Sequence, residues 1–171
     1  MSPFALLQAG CLMVFALLLL AAAWQDIRSM RISNVLSLGV VASFAVWMAS
    51  GIASGNLPAH QLAIAIGCAV AVFCVGAVGF AGGLLGGGDV KLLAASSLFA
   101  APHLLLDFLL VTAVAGGVLG LAILAGAPIG PAAAGPGGDT GNLRSRLRRV
   151  LPYGPAIGIG GLWTAAALTL S

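Results

Sequence analysis

The chain has 171 residues, of which 61% are hydrophobic and only 6% charged: seven Lys/Arg and four acids, for a net charge of +3. Soluble domains carry about a quarter charged residues, so a free-standing soluble domain is excluded, and a mean hydropathy of +1.15 agrees. The same composition excludes a disordered chain, and the 25 glycines follow no collagen-like period. A charge of +3 on such a chain does not indicate nucleic-acid binding, because basic residues in a membrane protein report orientation first.

At roughly 20 residues per crossing, the sequence predicts an all-α polytopic bundle of about six transmembrane helices, one domain over residues 1–171. The apolar runs are Phe4 to Gln25, Val35 to Ile52, Leu62 to Phe80, Val90 to Ala101, Leu104 to Leu124 and Tyr153 to Leu170. The fourth is short for a span. Each connection carries helix breakers: Ser33-Asn34, Ser54-Gly55-Asn56-Leu57-Pro58, Gly82-Gly83 through Gly86-Gly87-Gly88, and Pro102-His103. The longest, 126–152, is rich in Gly, Pro and Ala and ends in a basic cluster. No internal repeat is evident. Leu7 to Cys11 faintly resembles a lipoprotein cleavage box and Ala21-Ala22-Ala23 a secretory cleavage site. Neither has a basic n-region, so the first run reads as a retained span.

Arg28 and Arg31 follow the first run, Lys91 the third, and Arg144, Arg146, Arg148 and Arg149 the fifth. With alternating crossings every basic residue falls on one side, and the positive-inside rule makes that side the cytoplasm. Both termini are then expected outside, and the 126–152 loop inside. The Arg144–Arg149 cluster fixes orientation and meets anionic membrane lipid.

Acids at membrane depth are costly and need a reason. Asp26 ends the first run and Asp89 opens the fourth, so both are expected at the cytoplasmic boundary, where they can face each other across the bundle. Asp107 reads as a carboxylate in the first turn of a helix. Asp139-Thr140-Gly141 spells the triplet of pepsin-like proteases. That triplet works on a β-hairpin, and here Gly135-Pro136-Gly137-Gly138 precedes it with no strand pattern, so it reads as loop. Cys11, Cys68 and Cys74 sit in apolar runs without a CxxC pair and read as small buried packing residues. His60 and His103 read as loop or cap residues, and no metal or cofactor is expected. Trp24, Trp47 and Trp163 read equally as interfacial anchors or packing residues.

Gly86-Gly87-Gly88-Asp89 lets the backbone turn tightly and lets another chain approach the carboxylate, since no Cβ intervenes. A second carboxylate nearby would share a proton with Asp89. Such a pair can divide peptide hydrolysis: one group takes a proton from water, the other protonates the carbonyl or the leaving amine. Composition alone leaves this reading open beside a plainer one, in which the glycines serve close helix packing and Asp89 pairs with Lys91 or an arginine.

Gly86-Gly87-Gly88-Asp89-Val90-Lys91 resembles the GxGDxK motif of prepilin peptidases, the GxGD-type aspartic peptidases of type IV pilus and related systems. Asp26 to Asn34 resembles the family's other catalytic stretch, in which an Asp precedes Ile-Pro-Asn. Pro152-Tyr153-Gly154-Pro155-Ala156-Ile157 resembles its PYGxAI segment. The resemblance implies a catalytic pair, Asp26 and Asp89, that cleaves the basic leader of a prepilin at the cytoplasmic face of the inner membrane, just before the pilin's hydrophobic helix. It implies supporting positions at Gly86, Gly88, Lys91, Arg28, Asn34, Tyr153 and Gly154. Arg28 and Arg31 read first as positive-inside anchors.

Ser33 stands where the family usually has Pro, which removes a fixed φ from that turn. The paired CxxC region of the longer, methylating forms is missing too. The chain therefore resembles the short forms of tight-adherence (Flp-type) pilus machinery, for which methylase activity is not expected, and whether any remains stays open. Which pilin is processed and the oligomeric state stay open. Two other classes compete. A small ion-coupled transporter would place acids near mid-membrane with an internal repeat, and a secretion-assembly subunit would not need two carboxylates. Presenilin-like GxGD enzymes pair the motif with Tyr-Asp, whereas Gln25 precedes Asp26 here.

Overall fold

The computed structural model describes residues 3–125 and 153–170. Over these residues the chain is all helix and connection, in the order α1 (Pro3–Ser29), α2 (Asn34–Ala53), α3 (His60–Ala81), α4 (Gly87–Ala100), α5 (Leu105–Leu124) and α6 (Gly154–Leu170). Each apolar run is therefore a helix, and the differences are at the ends. α1 continues to Ser29, so Asp26 lies inside its last turn. α4 starts at Gly87, so Asp89 is its third residue.

The breakers act where the sequence places them. α2 and α3 both end in Schellman turns, built on Gly55 (φ 74°) and Gly83 (φ 69°). After α2, Gly55 N–H donates to Ile52 O and Asn56 N–H to Gly51 O; after α3, Gly83 N–H donates to Phe80 O and Leu84 N–H to Gly79 O. α1 closes on Met30, a left-handed residue (φ 49°) whose N–H donates to Asp26 O at 2.8 Å.

Among the described residues, four helices, α1, α2, α3 and α5, are long and apolar enough to cross a membrane. Much of their Leu, Val and Ile surface faces outward, including Leu17, Leu38, Val75 and Leu121. This inverts the soluble rule and is expected where hydrocarbon is the solvent. α4 has 14 residues, about 21 Å at 1.5 Å per residue, short of the roughly 30 Å hydrocarbon core. It lies in the middle of the bundle, packed by α2, α3, α5 and α6, with Val90, Leu92 and all of residues 94–100 buried. Phe99 of α4 anchors the core: it stacks on Phe15 of α1 (centroids 4.2 Å apart) and meets Phe44 of α2 edge-on at 5.3 Å.

α6 wedges between α1 and α5 through its glycines. A Cβ at Gly161 would strike Leu19 of α1, and one at Gly160 would strike Thr112 of α5. Close backbone approach of this kind holds helices together where no hydrophobic effect separates them from lipid.

Cys11 is buried as a packing residue, but Cys68 is half-buried and Cys74 exposed, because α3 packs on the bundle mainly through α4. His60 is the first residue of α3, and Asp107 lies in the first turn of α5. Trp47 packs with Phe44 and Phe99, whereas Trp24 and Trp163 face outward. Asp139, the Arg144–Arg149 cluster and the 126–152 loop lie outside the described residues.

Candidate active site

Asp26 and Asp89 are 63 positions apart in sequence, and the fold brings them within electrostatic reach of each other. Each carboxylate meets the N-terminus of a helix, where backbone N–H groups lack partners and the dipole favours negative charge. Asp26, 4% exposed, accepts a hydrogen bond from Gly154 N–H, the first residue of α6, at 2.7 Å. Asp89 reaches back within its own first turn and accepts from Gly86 N–H at 3.1 Å. Its other oxygen, Oδ1, is buried and has no hydrogen-bond partner among the described residues.

The glycines of the two motifs are close approaches. A Cβ on Gly154 would lie 2.7 Å from Asp26 Cβ and 2.9 Å from its Oδ2. A Cβ on Gly86 would lie 2.6 Å from Asp89 Oδ2, and one on Gly88 would lie 3.2 Å from the backbone oxygen of Ile32. The last contact presses the glycine-rich turn onto the α1–α2 connection, and so brings the two acidic stretches together.

Lys91 does not pair with Asp89. Its Nζ donates to Asn34 Oδ1 at 2.9 Å, joining the start of α4 to the start of α2. Arg28 lies over the Trp24 ring, 4.6 Å from its centroid, which suits an anchor at the membrane boundary. Ser33 keeps the turn well defined without the proline. Its φ of −67° is one proline would also adopt, its Oγ accepts from Val35 N–H to cap α2, and its N–H donates to Gln25 Oε1 at 3.1 Å. Proline could not donate that last bond.

Asp89 lines a cleft of about 470 Å³ between α4, α5 and α6, together with Leu93, Thr112, Gly116, Tyr153 and Ile157. Tyr153 precedes the Gly154 that holds Asp26, so one short segment touches both the cleft and the second acid. Thr112 Oγ1 is buried without a partner. Sequence reasoning passed over Thr112 and Gln25. Their signal is the same: an uncharged polar side chain inside an apolar run, where a polar group needs a partner.

The model of the type IV leader peptidase family matches residues 13–121, more than half of the chain and both acidic stretches. Comparison with curated proteins and with solved structures finds no match. A membrane-embedded helical bundle that carries this match over most of its described length is a peptidase by kinship: the chain belongs to the type IV leader peptidase family.

Proposed function

We propose that this protein is an aspartic endopeptidase of the bacterial inner membrane. It removes the basic leader from prepilins of the type IV or Flp type, with Asp26 and Asp89 as its catalytic pair. The observation that carries the reading is the convergence of two distant acids, each against a helix N-terminus, with Asp89 opening into a cleft. In this mechanism one carboxyl is protonated and the other ionised. The ionised group takes a proton from water as its oxygen adds to the scissile carbonyl. The protonated group delivers its proton to the carbonyl oxygen; as the C–N bond breaks, the group that took the water proton passes it to the leaving amine, and the first group recovers a proton from the diol hydroxyl.

The topology follows from charge: six crossings, with α4 and α6 completing the set, both termini outside, and the acids at the cytoplasmic face with the basic residues. The cleft beside Asp89 receives the residues flanking the scissile bond. Gly86 and Gly88 shape the turn, Gly154 holds Asp26, Tyr153 borders the cleft, and Lys91, Asn34 and Arg28 brace the motifs from the same end of the bundle.

Co-expression with a candidate prepilin and a gel-shift assay for leader removal tests this reading. The wild type processes the substrate, and Asp26→Asn and Asp89→Asn each reduce processing by about 10²–10⁴-fold, the range for loss of a positioned acid or base. Normal processing by a well-expressed Asp26→Asn protein overturns the pair.

A further inference from the structure

A second cavity lies away from the acid-lined cleft. α2 and α3 each have a face toward α4, and between them runs a groove of about 530 Å³. Its polar residues gather at one end. Lys91 and Asn34 form the mouth, and Ser37, one turn further along α2, lies just inside. Beyond them the groove is lined by apolar residues, among them Val41, Ile66, Val70, Phe73 and Leu98.

Three observations specify an occupant. Lys91 is an exposed cation whose Nζ meets only the neutral Asn34 oxygen; no carboxylate pairs with it among the described residues. The amide N–H₂ of Asn34 and the N-terminus of the 20-residue α2 add donors and positive dipole at the same spot. Ser37, only 8% exposed, has a buried hydroxyl without any hydrogen-bond partner among the described residues. An unmet buried hydroxyl is costly, and it lies about 5 Å, one helical turn, below the Asn34 level.

We propose that this groove holds one anionic glycerophospholipid, with its phosphate on Lys91 and Asn34, an ester carbonyl accepting from the Ser37 hydroxyl, and an acyl chain along the apolar wall. The order of groups along the groove is the order along the lipid: anion, ester, hydrocarbon. A transmembrane peptide helix fits less well, because its backbone carbonyls are already bonded within the helix and leave Ser37 unmet. From Lys91 to Leu98 the groove descends about 10 Å, which keeps the site within one leaflet of a hydrocarbon core roughly 30 Å thick. The site stands on its own and does not depend on what the two acids do.

Native mass spectrometry of the purified full-length protein, titrated with palmitoyl-oleoyl phosphatidylglycerol or phosphatidylcholine, reads the first bound lipid. The wild type should prefer phosphatidylglycerol by about fivefold, the effect of one lysine on an anionic headgroup. Lys91→Gln should remove the preference. Ser37→Val should weaken both lipids while preserving their ratio, and Val70→Trp, at an exposed wall position, should block both. Equal binding of the two lipids to the wild type, or an unchanged preference in Lys91→Gln, overturns the site. So does a photo-crosslinker at position 70 that captures co-expressed prepilin instead of lipid.

Discussion

Replacing Gly154 with alanine tests whether the placement of Asp26, and not only its presence, governs turnover. The added methyl would sit 2.7 Å from Asp26 Cβ and 3.1 Å from its Cγ. Those atoms lie near the helix backbone and cannot swing aside like the tip of a long side chain, so the carboxylate itself must move. Its 2.7 Å hydrogen bond from Gly154 N–H is then lost or bent. A hydrogen bond to a charged group contributes about 1.5–3 kcal/mol, equivalent to about 10–150-fold. A displacement of about 1 Å in a catalytic group costs about 10²-fold. Gly154→Ala should therefore lower kcat/KM for leader removal by about 10–100-fold, with most of the loss in kcat. Gly158→Ala, one turn along the same helix, is the matched control. Its methyl would meet Ala23 Cβ at 3.6 Å and Leu19 O at 3.7 Å, ordinary contact distances. It should process at the wild-type rate with equal or higher thermal stability, since alanine favours the helix over glycine. Wild-type turnover by folded Gly154→Ala, or an equal loss in both variants, refutes the reasoning.

Gly161→Ala drives a methyl into Leu19 far from either acid. It should lower the melting temperature, with overpacking of about 1–3 kcal/mol, while turnover per folded molecule stays unchanged in a thermal-shift and activity series. Gly88→Ala presses on the backbone of Ile32, which cannot yield as a side-chain tip would. It should reduce processing about tenfold or more by parting the two motif segments, and unimpaired processing would show that their contact is dispensable. Ser33→Ala removes the α2 cap but keeps the N–H that bonds Gln25. It should cost about 1 kcal/mol of stability in a detergent melt, with little effect on kcat. Asp139→Asn should process normally, and failure there would restore the loop triplet to consideration.

The helices were legible because hydrocarbon-facing runs and glycine punctuation are strong local signals. The Schellman turns at Gly55 and Gly83 are where the breakers stand in the sequence. Asp26 and Asp89 also stood out as candidates, since a membrane chain with four acids offers few. What joins them was not. That Gly154 N–H is the donor to Asp26, and Asn34 the partner of Lys91, are contacts across 128 and 57 positions. Hydropathy carries no information at that range. Serine in place of proline at Ser33 removes a fixed φ, yet φ stays at −67° and the restored N–H bonds Gln25, a contact that the sequence does not show. The central burial of α4 showed in the sequence only as a short apolar run, because a helix packed by four others needs no more length than its partners cover.

The bond from Gly154 to Asp26 also has a consequence for biosynthesis. α6 lies downstream of the other described helices, so a ribosome delivers both acids to the membrane well before it makes the donor that holds the first of them. A nascent chain that has inserted α1 through α5 carries the carboxylates but not their final arrangement. The wedge of α6 between α1 and α5 is then a late assembly step, and under the proposed function it would complete the pair only once α6 is in place. Severing the chain between residues 125 and 153 and supplying α6 from a second gene would separate making the acids from arming them.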